Sequence, residues 1–323
     1  MTANYQEVTL LLKLYTVDQM NNHLKLLIIY PNRNCELFCK FCWQKQNILC
    51  NVNVDWWENI LKAGIENGFR ELLISGGEPF SDYLTTMKLM EYSTQIGYKV
   101  NVSTSGYFNC DNTNDIAEAL SKLKCWVNFS LHGLGETHDR IVGVRGAYNK
   151  SIDFLKKLSD YNCRILLCVV VTEDIMSGIM AEKLIDLAYE NGCKGIFFAY
   201  TRGKNDTISY KHYLIFINNI KSKKCYYKIP ILYDSLREKN SQEDNILNSI
   251  NIFENGELYF CPTAISNSKP YMYIKNENDF KNSIEEIRSK INNCDDTELC
   301  SKCNMCTENT IARKFTEYGG DLI

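Results

Sequence analysis

Short apolar runs alternate with amphipathic stretches along most of the chain. Leu26–Tyr30 (LLIIY) is unbroken apolar sequence, the pattern of a strand buried on both faces. Trp56, Trp57, Ile60, Leu61 and Ile65 then recur at helical spacing. The alternation continues: Glu71–Ser75 strand-like, Leu84–Ile96 helical, Lys99–Thr104 strand-like, Ile116–Leu123 helical, Trp126–Leu131 strand-like and Ala147–Leu158 helical. Ile165–Thr172 and Gly195–Tyr200 read as strands, followed by helices over Met180–Tyr189 and Ile208–Ile220. Six β-α units in about 200 residues imply a parallel α/β sheet, closed or partly closed. Eight units would complete a barrel, and six are legible.

The pattern changes near Cys225. Ile250–Phe253 and Glu257–Phe260 flank Glu254-Asn255-Gly256, a hairpin with an Asn-Gly turn. A strand-like Tyr271–Lys275 follows, then a helix carrying Ile284, Ile287 and Ile291 on one face, then a cysteine-dense end. These shifts predict an N-terminal extension over 1–24, an α/β core over 25–224 and a smaller C-terminal unit over 225–323.

Composition narrows the class. Of 323 residues, 45% are hydrophobic and 23% charged, which excludes a disordered chain. A formal charge of −3 argues against a nucleic-acid backbone binder. Met1–Val8 lacks the basic and apolar segments of a signal peptide, and the longest strongly apolar run, Ile165–Val171, is too short to cross a membrane. A cytoplasmic, reducing location is expected, and there the 15 cysteines serve metals or chemistry. Their odd number forbids complete pairing.

Cys35, Cys39 and Cys42 form C-x3-C-x2-C directly after the first strand, where parallel α/β sheets place their ligands. Three thiolates on one loop can hold three irons of a cubane and leave the fourth open. A zinc knuckle is the alternative; it needs a fourth ligand, and Cys50 is a candidate. The run CELFCKFC, with Phe41 before the last cysteine, resembles the signature loop of the radical S-adenosylmethionine (SAM) enzymes. Gly76-Gly77-Glu78-Pro79 after the second strand is similar to that family's GGEP motif.

The resemblance implies a partial (β/α)6 TIM-like barrel, a 4Fe–4S cluster on Cys35, Cys39 and Cys42, and SAM chelated at the open iron. It implies reductive cleavage of SAM to methionine and a 5′-deoxyadenosyl radical that takes a substrate hydrogen, with electrons from a flavodoxin- or ferredoxin-type partner. Glu78 and the backbone of Gly76, Gly77 and Pro79 would receive the SAM amino group, and Phe41 would pack by the adenine. Thr104-Ser105-Gly106 and Ser130-Leu131-His132-Gly133 end the third and fourth strands where relatives carry Thr-Asn-Gly and Ser-Leu-Asp-Gly. Thr104 and Ser130 are thus candidate SAM contacts, as is Arg145 for the methionyl carboxylate.

Near the C-terminus, Gly256–Cys261 spells G-x4-C, and Cys294, Cys300, Cys303 and Cys306 follow. A zinc ribbon fits this spacing as well. With the upstream motifs, it resembles the SPASM or Twitch extension of radical SAM enzymes, which implies one auxiliary 4Fe–4S cluster on Cys261, Cys300, Cys303 and Cys306, with Cys294 as alternate. Cys225 is a candidate hydrogen-atom donor. The expected substrate is a ribosomally made peptide undergoing crosslinking, epimerisation or oxidation. A sugar, nucleoside or cofactor precursor is the second candidate, and a non-catalytic metal-binding or electron-transfer protein the third.

Overall fold

The unbroken run Leu26–Tyr30 becomes β1, the first strand of a sheet that organises the chain. The structure, a computed structural model, describes residues 25–42, 53–200, 208–223, 229–236, 249–259, 269–293 and 311–312. From β1 the chain runs through α1 (Val54–Glu66), β2 (Glu71–Ile74), α2 (Tyr83–Gln95), β3 (Lys99–Thr104), α3 (Thr113–Lys122) and β4 (Trp126–Ser130). It continues through α4 (Glu136–Val142), α5 (Ala147–Asp160), β5 (Arg164–Val170), α6 (Glu173–Met176), α7 (Ile179–Glu190), β6 (Gly195–Ala199) and α8 (Tyr210–Lys221).

The start of α1 shows how the local sequence fixes an element. Asn53 caps it by accepting the Trp56 N–H, and the helix buries Trp57, Ile60, Leu61, Ala63 and Gly64 against the sheet. A Cβ at Gly64 would run into the Tyr98 hydroxyl, which donates to the Leu61 carbonyl. Glycine is therefore what lets α1 lie this close to the sheet edge.

β1 to β6 lie side by side in sequence order, all parallel, and β7 (Ile231–Tyr233) extends them beyond β6. Sequential parallel strands joined by right-handed crossovers put every connecting helix on one face. Side chains from that face, such as Val102, Val127, Leu167 and Phe198, share one large core with the helices. The other face is concave. It carries a separate apolar group of Trp126, Leu166, Phe197 and Leu232. Among the described residues the sheet is not closed, so the expected partial barrel stands, and β7 is a strand that the sequence pattern did not give.

On the opposite edge, β9 (Ser249–Phe253) pairs parallel with β1 in the register Leu26↔Ser249 to Tyr30↔Phe253. It turns back into β10 (Glu257–Tyr259), which pairs with β11 (Met272–Tyr273). β8 (Ser235–Leu236) and β12 (Ile311–Ala312) form a separate antiparallel pair. The expected hairpin is present, with a different turn. Gly256 alone takes a left-handed conformation, at φ 81°, and its N–H donates to Phe253 O at 2.9 Å. The loop is thus a turn followed by a left-handed glycine, as in three-residue hairpins. A Cβ there would strike the Ile274 carbonyl. Helix α9 (Glu277–Asn293) lies against α1: Phe280 sits by Phe69, Lys281 pairs with Glu66 at 2.8 Å, and Arg288 donates to the Asn67 carbonyl.

Among the described residues, no helix is long and apolar enough to cross a membrane.

Candidate active site

Two loops leave the carboxyl ends of β1 and β2 and run against each other. Gly77 N–H donates to Asn32 O at 3.1 Å, and Glu78 N–H to Asn34 O at 2.6 Å. Gly76 has φ 148°, and a Cβ on it would meet the Asn32 carbonyl; a Cβ on Gly77 would overlap the Asn34 carbonyl. The two glycines are the condition for this backbone contact. It fixes residues 32–34, and hence where the cysteine run begins.

The run itself is held from its far side by α4. Phe38 N–H donates to Val142 O at 2.7 Å and Lys40 N–H to Ile141 O at 3.3 Å. Gly143, left-handed at φ 73°, ends α4 directly beneath Phe38. Cys42 N–H closes a turn onto Cys39 O at 3.0 Å, and Cys35 and Cys39 pack against the buried Leu37, Val142 and Ala147. Burial pushes the Cys35 and Cys39 thiols up to about 12; neighbouring negative charge, including Cys42 for both, adds to this. Thiols this hard to ionise lose their protons against a strongly positive partner. Three of them on one loop make the soft donor set that iron–sulfur clusters use. Among the described residues, no three His, Cys, Asp or Glu side chains converge around a point that suits a single metal ion. Cys50, the candidate fourth zinc ligand, lies outside the described residues.

Glu78 is the most committed polar group of the site, at 1% exposure. Its Oε1 accepts from Thr104 Oγ1 at 2.7 Å and from Phe80 N at 3.3 Å. Its Oε2 accepts from Ser105 N at 2.8 Å and Ser105 Oγ at 2.7 Å. Burial raises its pKa, and the same donors, which stabilise the carboxylate, pull it back. The carboxylate therefore ties the β2 loop to the end of β3. The expected Thr104 hydroxyl is spent on this network, and it also accepts the Gly106 N–H at 3.0 Å.

Phe41 meets the end of β4 through His132, edge to face at 4.8 Å between ring centroids. His132 is buried, and its Nδ1 accepts Val170 N–H at 3.1 Å, which leaves its proton on Nε2. His138 Nδ1 accepts His132 N–H at 3.1 Å, and its buried Nε2 has no partner among the described residues. Burial holds both rings neutral, lowering His132 to about 3 and His138 to about 4. Asp139 accepts Gly146 N–H at 2.6 Å and Tyr148 N–H at 2.8 Å, shaping the turn that presents the exposed Arg145. Ser130 is half-buried at the end of β4, beside Cys168 of β5.

Phe41, Gly76, Gly77, Glu78, Pro79, Thr104, Ser130 and the three loop cysteines thus lie at or just beyond the carboxyl ends of β1–β4, whereas Arg145 lies in the turn between α4 and α5. Cys225, Cys261, Cys294, Cys300, Cys303 and Cys306 lie outside the described residues. Sequence reasoning did not single out Arg33. Its guanidinium reaches Glu254 at 2.8 Å and Glu257 at 3.1 Å and lies over the Phe253 ring at 4.7 Å. Phe253 also stacks on Tyr30 at 4.2 Å. This cluster joins the start of the cysteine run to the C-terminal hairpin, and its members sit too far apart in sequence to be seen together.

Comparison with known proteins gives the arrangement a context. Over 166 residues, half of the chain, it is 23% identical to the sporulation killing factor maturation protein SkfB of Bacillus subtilis, covering 38% of that protein. Over 146 residues it is 25% identical to the PqqA peptide cyclase of Bradyrhizobium diazoefficiens, covering 37% of it. The matches thus span less than two fifths of these relatives' own lengths. The fold is similar to that of Streptococcus suis SuiB bound to S-adenosylmethionine, with TM-score 0.65 and 19% identity over 86% of this chain and 72% of that one. It is also similar to SuiB bound to its precursor peptide SuiA, with TM-score 0.62 and 18% identity over 83% of this chain and 65% of that one. Residues 29–188 match the sequence profile of the radical SAM superfamily, a stretch that takes in the cysteine run, Gly76–Pro79 and the ends of the first strands; the chain belongs to that superfamily.

Proposed function

We propose that this radical SAM enzyme modifies a ribosomally made peptide, and that the β1–β4 ends are its active site. The observation that carries the reading is the backbone contact of residues 32–34 with Gly77 and Glu78. It sets three thiols beside a glycine cradle in a chain of this superfamily. Support for a peptide substrate comes from the relatives, two of which are named for peptide cyclisation or factor maturation, and from the fold shared with SuiB.

Membership of the superfamily implies SAM and a 4Fe–4S cluster. When bound, they supply a one-electron cleavage of SAM that yields a carbon radical able to take a hydrogen atom. The chain's own residues have the remaining tasks. Cys35, Cys39 and Cys42 would hold three irons. Glu78, fully engaged with Thr104, Ser105 and Phe80, orders the loop, so that backbone carbonyls around Gly76 and Gly77 would receive the SAM ammonium. Phe41, braced by His132, would flank the adenine, and Arg145 would pair with the SAM carboxylate. Cys261, Cys300, Cys303 and Cys306, with Cys294 as alternate, would hold an auxiliary cluster, Cys225 would serve as a hydrogen donor, and the electron source would be flavodoxin- or ferredoxin-like.

The test is co-expression with a short peptide encoded beside the gene, where the neighbourhood holds one, followed by mass spectrometry of that peptide. A mass change that depends on Cys39 is expected. An unmodified peptide, together with 5′-deoxyadenosine output that rises when a sugar or nucleoside is added, would overturn the peptide reading.

A further inference from the structure

The start of the cysteine run is anchored from two sides. On one side, the Asn32 and Asn34 carbonyls receive the Gly77 and Glu78 N–H groups of the β2 loop. Asn32 also turns its side chain back onto the backbone, accepting Asn34 N–H at 3.1 Å. On the other side stands the C-terminal hairpin, because β1 lies between β9 and β2 in the sheet. β9 accompanies β1 to its last residue. Tyr30 is opposite Phe253, and residues 31–33 continue beside the turn that begins at Glu254.

Arg33, two residues before Cys35, spans from the run to this hairpin. Its guanidinium meets Glu254 in the turn at 2.8 Å and Glu257 at the start of β10 at 3.1 Å. The three side chains are 11%, 1% and 20% exposed, so the group is largely withdrawn from water. The guanidinium also lies over Phe253, which stacks on Tyr30 at the end of β1. An exposed ion pair would couple two segments weakly. Here the loss of the cation leaves the Glu254 charge buried and uncompensated, and the turn must move to bring it to water. The hairpin and residues 32–34 are therefore held in one geometry by a planar fork between two carboxylates.

We infer that Arg33 is a positioning residue for SAM binding: through Glu254 and Glu257 it makes the placement of the cysteine run depend on the C-terminal hairpin. This role rests on the active site proposed above and extends it to the hairpin. The glycine contact fixes residues 32–34 against the β2 loop, and Arg33 fixes them against β9 and β10. In this role the hairpin needs no contact with SAM. It sets where Cys35 begins relative to the glycine cradle. Misplacing a positioning element by about 1 Å can cost an enzyme up to about a hundredfold, so a modest shift of this segment is measurable.

The test titrates SAM into the reduced, reconstituted full-length protein and follows the electron paramagnetic resonance signal of its cluster, which reads binding without turnover. Arg33→Met is expected to weaken SAM about tenfold, and Glu254→Gln, which keeps the Glu257 link, about threefold. The double variant should bind no more weakly than Arg33→Met alone, because both changes cut the same connection. Arg33→Lys should recover part of the affinity. Iron content per chain and a cooperative thermal transition show that each variant is loaded and folded. Should Arg33→Met fail either check, Glu254→Gln decides alone. Parent affinity in Glu254→Gln or in Arg33→Met, or a double variant whose loss is the product of the two single losses, would overturn the role and leave Arg33 a contributor to stability only. A parent protein that shows the dependence and leaves the peptide unmodified keeps the role and loses the peptide reading. One that modifies the peptide while Arg33→Met binds SAM at the parent affinity keeps the reading and loses the role.

Discussion

Glu78 and Glu254 both have buried carboxylates beside the loop that follows β1, yet they are satisfied in different ways. The Glu78 carboxylate accepts from four donors, all within the protein. Glu254, its side chain 1% exposed, instead meets the Arg33 guanidinium at 2.8 Å. Buried polar groups are either satisfied internally or positioned for a ligand. Both of these are satisfied internally, the first by neutral donors and the second by a cation. In this protein the first kind joins the loops after β1, β2 and β3. The second joins the start of the cysteine run to the C-terminal hairpin.

Substitutions at the building side should be severe. Cys39→Ala removes one of three thiols on the loop, and we expect loss of the visible iron–sulfur absorption and of SAM cleavage by about three orders of magnitude or more, read by spectroscopy and 5′-deoxyadenosine assay. Glu78→Gln keeps the volume but turns an acceptor into a donor facing Ser105. A loss of about 3 kcal/mol is expected in denaturant unfolding, with a matching drop in SAM affinity. Retention of full stability would contradict the assigned network.

The link to the hairpin is next in size. Arg33→Met leaves the buried Glu254 without its guanidinium; about 2 kcal/mol of destabilisation is expected, since the pair is not wholly sealed from solvent. Arg33→Lys should recover only part of it, because Lys cannot reach two carboxylates with a planar fork. A further effect is on pH dependence. In the unfolded chain, His132 and His138 take up protons below about pH 6.5, whereas in the native state they remain neutral until about 3 and about 4. Stability is therefore full above pH 6.5 and declines as pH falls from there toward 4. His132→Asn, which keeps an acceptor for Val170 N–H, should flatten that decline in thermal melts recorded between pH 4 and 7.

The parts of this molecule that were legible in the sequence are local. LLIIY, WVNFSL and GIFFAY announce strands through apolar content, and CELFCKFC with Gly76–Pro79 announces the site through short motifs. β7 escaped because Ile231–Tyr233 is three residues long, behind Pro230. The pairing of β9 with β1 joins segments more than 200 residues apart, and no periodicity records that. Ser105, His138 and Arg33 matter through partners that only the fold brings near. Asn101 and Ser103 did leave a signal. They alternate with Val100 and Val102, the period-two mark of a strand with one apolar face and one polar face.

The most direct measurement is anaerobic incubation of the reconstituted protein with SAM and dithionite, with quantification of 5′-deoxyadenosine and methionine. Equal amounts of both products, formed by the parent protein and absent with Cys39→Ala, are expected. A reconstituted, folded protein that leaves SAM intact, or a Cys39→Ala variant that cleaves it at the parent rate, would contradict the account of this site.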